Sequence, residues 1–307
     1  MAAPTYDAAP AAVPDQAELS AEAQDAAWLL AAREHLYLLF HKLTGGAPTP
    51  ELLRALASDG TLAALGAYAE ESAELAAVRS FVASLRDADP DGLLDAAKDE
   101  YTRLFIGPAQ PVAVPWESPY RTHMPAAVQE STLEVRASYR AQGLEPRRLL
   151  RVPDDHVSLM CVFMADLGER SIAALGTGGA QADAGKLAST LRAQEAFVLG
   201  HLVGWLPDYA RMARRSKTAV LYPQTIEALA DFVAVDATFL SESSLWAETA
   251  GVIPDFGRTE ETERLRRSTA ELAGIRPFGI EDNELVAVAA QPARKDSATH
   301  GVASPRR

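Results

Sequence analysis

One cysteine, Cys161, stands among the 307 residues, so no internal disulfide can form, and a small buried hydrophobe in a reducing compartment is its expected role. Aromatics are scarce at 7% while alanine is abundant, a balance that favours helices over sheets. No stretch approaches the roughly 18 uninterrupted apolar residues of a membrane span, which excludes membrane insertion. Residues 1–24 hold no lysine, no arginine and no strong apolar run, so no targeting segment is expected and a cytoplasmic location follows. Basic residues are outnumbered, 29 Lys and Arg against 42 Asp and Glu, for a net charge of −13. Non-specific nucleic-acid binding needs the opposite field and is excluded.

Catalytic signatures are missing too. There is no G-x-S-x-G elbow and no phosphate-binding loop, and Gly176, Gly178 and Gly179 follow a helical pattern rather than the strand a dinucleotide site requires. His35, His41, His123, His201 and His300 show no metal-ligand spacing, so no metal site, catalytic residue or cofactor is expected.

With 48% hydrophobic residues the chain can bury a full core. Period-2 alternation of useful length occurs nowhere, and helical spacing recurs throughout. The expected fold is all-α, one helical domain of about eight to ten helices or two subdomains around a hinge. Residues 1–19, rich in alanine and proline, read as a disordered leader; 20–245 as the helical domain; and 255–307, charged and ending in a polar tail, as mobile. A first helix is expected from the Ser20 cap to Leu43. Others follow Thr49-Pro50, cover 68–86, start at Asp89-Pro90, cover 126–142, and start at Asp154 or Asp155 as cap; the last three cover about 186–204, 207–215 and 223–241. Acidity concentrates at the front, where residues 1–105 carry 7 Lys and Arg against 17 Asp and Glu, a surface that would steer a basic ligand or simply keep the protein soluble.

Two stretches stand apart. In the first, a helical face carrying Tyr101, Leu104 and Phe105 stops at Gly107-Pro108, and a loop with Pro108, Pro111, Pro115 and Pro119 also holds Trp116 and Tyr120. Large aromatics on so stiff a loop either bury as a plug or line a recognition groove. In the second, Pro153-Asp154-Asp155-His156 places a carboxylate and an imidazole at a helix start, where the field favours anions.

Glu100-Tyr101-x-x-Leu104-Phe105-x-Gly107-Pro108 with Pro115-Trp116-x-Ser118, then Pro153-x-Asp155-His156, and more weakly His201-Leu202-x-x-Trp205-x-Pro207, resemble the motifs of the TorD/DmsD family of redox-enzyme maturation chaperones, within the NarJ-like superfamily. The resemblance spans about residues 25–240. Ala109 replaces a usual glycine and Val152 a usual glutamate. It implies a cytoplasmic, non-enzymatic chaperone. Such a chaperone binds the twin-arginine signal peptide and the apo form of a molybdopterin-containing oxidoreductase, assists cofactor insertion and delays export. Pro115, Trp116, Glu117, Ser118, Tyr120, Pro153, Asp155 and His156 would line the peptide site, with Glu117 and Asp155 meeting arginine. Tyr101, Leu104, Phe105, Gly107 and Pro108 would support the loop. The resemblance also implies that both motifs meet in space, that the protein is a monomer or homodimer, and that a guanine nucleotide is a conceivable ligand. An assembly chaperone of a nitrate-reductase-type enzyme is a related reading; a metal-dependent hydrolase using Asp155 and His156 is the alternative from another class.

Overall fold

The structure, a computed structural model, describes residues 16–107, 111–122, 130–176, 182–249 and 259–288. Pro108, Ala109, His123 and His300 lie outside these, as do most of the expected leader and the last residues of the expected tail.

Twelve α-helices and one two-stranded sheet occur among the described residues. In chain order the helices are α1 (Gln16–Gly45), α2 (Pro50–Leu56), α3 (Asp59–Ala69), α4 (Ala73–Ser84), α5 (Pro90–Tyr101), α6 (Ser118–Thr122), α7 (Glu130–Ala141), α8 (Val157–Ala174), α9 (Ala184–His201), α10 (Leu206–Ala213), α11 (Tyr222–Thr249) and α12 (Glu260–Gly274). Strand β1 (Leu144–Pro146) pairs antiparallel with β2 (Leu285–Ala287), Leu144 opposite Ala287 and Pro146 opposite Leu285. The all-α expectation holds: three-residue strands are too short to leave an alternating pattern.

The expected caps at Thr49 and Asp89 are in place, each accepting a backbone N–H of its helix. The single helix expected over 68–86 is instead two, because the Ser72 side chain accepts from Leu75 N and restarts the chain as α4. Helix α1 starts at Gln16, four residues ahead of Ser20.

Helices α1 and α8 form the centre. Along α1, Leu30, Leu36, Tyr37, Phe40 and Leu43 are buried, and α8 is buried almost all round, as a helix apolar on every face must be. Gly168 sets their spacing, since a Cβ there would lie 3.4 Å from the Glu34 Cα. Helix α9 packs on α8, α11 packs on α9 and α10, and α12 lies along α1 and α3. Cys161 sits fully buried within α8, where burial drives its thiol pKa far up.

Residues 259–288 depart from the expected mobile tail. Thr262, Leu265, Thr269 and Leu272 of α12 face inward, and each fully buried leucine contributes about 2 kcal/mol. Beyond α12, Ala47 N donates to Phe278 O, Asn283 Nδ2 donates to Gly45 O, and β2 closes on β1. The surface charges of Glu260 to Arg267 masked a helix with one apolar face.

Candidate functional site

The two motif stretches meet at the start of α8. Helix starts leave backbone N–H groups without partners, and here each stretch satisfies the other's. Val157 N donates to Pro115 O at 2.8 Å, while Glu117 N donates to Asp155 O at 3.1 Å and Ser118 N to Asp155 Oδ2 at 2.8 Å. Trp116 and His156 thereby form an isolated antiparallel bridge, their ring centroids 6.5 Å apart. The loop is held by the helix it caps.

His156, not Asp154 or Asp155, caps α8. Its Nδ1 accepts from Ser158 N at 3.1 Å, and burial pushes its pKa down to about 3, so the ring stays neutral. Asp154 pairs with Arg136 at 2.5 Å, and its carbonyl accepts from Tyr139 Oη. Asp155 is 0% exposed; burial raises its carboxyl pKa against the pull of hydrogen bonds from Ser118. The aspartates cannot cap α8 because each already serves another element.

Glu117 is 1% exposed and takes two partners: its Oε1 accepts from Arg121 Nη1 at 3.0 Å, and its Oε2 lies 3.2 Å from His201 Nδ1. The weak third motif therefore belongs to the site. Trp205 Nε1 donates to the His201 carbonyl at 2.7 Å, and the Tyr120 ring lies 5.3 Å from that of Trp205, its hydroxyl donating to Val114 O. Trp116, Pro153 and Tyr120 are half-buried, whereas Pro115 and Ser118 are buried. Of the two carboxylates expected to meet an arginine, Asp155 is sealed and Glu117 already holds one.

Beneath the loop, residues 102–106 form a single π-helical turn in which Gly107 N donates to Thr102 O at 2.7 Å. Gly107 adopts φ +24, a conformation that favours glycine. Leu104 is fully buried, and Tyr101 and Phe105 stack against Tyr222 at 5.5 and 5.3 Å. Glu100 has a role no local pattern revealed. Its buried carboxylate accepts from Val220 N, Leu221 N and Tyr222 N at 2.7–2.9 Å, capping α11 from 120 residues away. The clue in the sequence was its place at the head of the first motif, on the helical face shared with Ala97 and Leu104.

Among the described residues no group of three His, Cys, Asp or Glu side chains converges as metal ligands. Asp155 Oδ2 and His156 Nδ1 are committed to Ser118 N and Ser158 N, and no third ligand converges on them among the described residues, a poor basis for the hydrolase alternative. Nor is any described helix long and apolar enough to cross a membrane.

A family model described as nitrate reductase delta subunit matches residues 69–211, which include the whole crossing. Curated relatives include chaperone protein TorD of Photobacterium profundum, 24% identical over 179 residues, 58% of this chain and 79% of that one. TorD of Vibrio vulnificus strain YJ016 is 27% identical over 210 residues, 68% of this chain and 94% of that one. Over these spans the chain is similar to the TorD chaperones. TorD of Vibrio cholerae, 28% identical over 159 residues, covers 52% of this chain and 67% of its own. Each of these relatives is named a chaperone.

Proposed function

We propose that this protein is a cytoplasmic maturation chaperone that binds the twin-arginine leader of a molybdopterin-containing oxidoreductase and delays its export until the cofactor is loaded. The observation that carries this reading is the crossing itself, where two family motifs converge on half-buried Trp116 and Tyr120 beside a carboxylate that already holds a guanidinium. Arg121 is 44% exposed, so an incoming arginine can take its place on Glu117. The aromatic rings and the proline loop offer apolar surface to the segment that follows the arginines. Charge-assisted hydrogen bonds contribute roughly 1.5–3 kcal/mol each. Two of them with modest apolar burial give about −8 kcal/mol, or micromolar affinity, weak enough to release the client.

The test is calorimetry of the full chain with a synthetic peptide carrying two arginines ahead of an apolar stretch, beside its Lys-Lys counterpart. Micromolar binding, weakened about tenfold by Lys-Lys and by Glu117→Gln or Trp116→Ala, is expected. Unaltered binding by both variants, each checked for native circular dichroism, removes the site.

The match to the nitrate reductase delta subunit favours a second reading, assembly of a nitrate-reductase-type client that keeps no leader. In that case apoenzyme binds and the peptide does not.

A further inference from the structure

Away from the crossing, a groove of about 470 Å3 runs between α1, α8 and α12. Its floor is apolar, with Leu38, Ala165 and Ala273, and its rim carries Glu34, Asp166 and Glu169. The cations facing them are Arg266 on α12 and Arg170 on α8, the latter held on Asp166 at 2.7 Å. Burial, and then the Glu169 carboxylate, push the Glu34 pKa up to about 7, with Arg266 only partly offsetting them. Three carboxylates thus face two arginines at this rim, and Arg170 is already held by Asp166.

The chain carries further cations beyond a residue linked to this rim. Val288 N donates to Gly143 O at 2.8 Å; the neighbouring Gln142 carbonyl accepts from Arg170 Nη1 at 3.0 Å; and Arg170 pairs with Asp166. Val288, which precedes residues 289–307, is therefore linked through Arg170 to the rim of the groove. Residues 289–307 contain Arg294, Lys295, Arg306 and Arg307 against Asp296 alone, the reverse of the chain's overall net charge of −13. A segment of that length reaches about 60 Å when extended, and about 24 Å as a flexible coil. Tethering makes its effective concentration millimolar, so even weak contacts suffice for docking.

We propose that the basic segment 289–307 docks in the α1–α8–α12 groove of its own chain, its arginines on the Glu34, Asp166 and Glu169 rim. This goes beyond the leader-binding reading and stands without it. A docked segment keeps other basic peptides off this acidic face.

The test exploits the buried Cys161, which leaves Ser304→Cys as the one reactive thiol for a nitroxide label on the full-length chain. Amides of Ala270 and Ala273 are expected to broaden severalfold more than that of Ala97, and to recover when the label is reduced. Neutralising the tail (R294Q, K295Q, R306Q and R307Q together) or the rim (E34Q with E169Q) should return the broadening to the Ala97 level, and raised salt should weaken it. Thermal unfolding checks that both variants fold. Absence of broadening on α12 in the parent chain overturns the proposal, as does broadening that survives both neutralisations. In a mixture of labelled chains with isotope-enriched unlabelled ones, broadening in the unlabelled chain would put the tail on a second copy and overturn docking in cis.

Discussion

Two guanidinium–carboxylate pairs in this molecule share one chemistry and differ in what surrounds them. Arg33 and Asp236 meet at 2.5 Å with both side chains 0% exposed, joined by the Tyr37 and Tyr68 hydroxyls, with the Phe239 ring 5.2 Å from the guanidinium carbon. At the crossing, Glu117 is as deeply buried as Asp236, yet its partner Arg121 opens to solvent. Sealing both ions makes the first pair a joint between α1 and α11 that nothing outside can enter. Leaving one ion open to solvent gives the second the exchangeable partner that the proposed arginine site would need.

The largest test of that contrast is Asp236→Ala, which strands the Arg33 charge in the core and should lower the unfolding free energy by about 3–5 kcal/mol in urea titrations. A loss under about 1 kcal/mol would break the distinction. Next comes acid. Burial holds His156 and His41 down to about 3 and His35 to about 4. Their folded pKa values lie below the unfolded value of 6.5, so the stability they contribute is present above pH 6.5 and lost as pH falls toward 3. His156→Asn keeps an acceptor for Ser158 N, and its loss of stability between pH 6.5 and 4 should be about 2 kcal/mol smaller than the parent's. Parallel pH curves would show that the crossing is not acid-sensitive through this ring. The smallest effect belongs to Arg121→Ala, expected to change stability by less than about 1 kcal/mol while strengthening twin-arginine peptide binding severalfold. A loss of 2 kcal/mol or more would mean that Arg121 is as structural as Arg33.

Local signals were legible and distant ones were not. Thr49-Pro50 and Asp89-Pro90 opened helices as read, because a cap and its helix lie within three residues of each other. The α8 cap expected of Asp154 or Asp155 fell to His156, since either side chain can accept a backbone N–H and only the fold decides which amide each meets. Glu100 serves amides 120 residues onward, beyond any sequence window. Helix α12 was missed because six of its first eight residues are charged and its inward face is a few residues wide. At the crossing, the motifs identified Trp116, Glu117 and His201 as neighbours of interest, but not that Glu117 would arrive already paired.

The Glu100 carboxylate also bears on the order in which the molecule is made. A ribosome adding about 5–20 residues per second needs roughly 6 to 24 seconds to travel from residue 100 to the amides that residue will hold. During that interval the nascent turn at 102–106 lacks Tyr222 to stack on, and the proline loop lacks Trp205 until α10 begins to emerge. The crossing is therefore completed late in synthesis, and a growing chain lacks the surface proposed for the leader until α11 has begun.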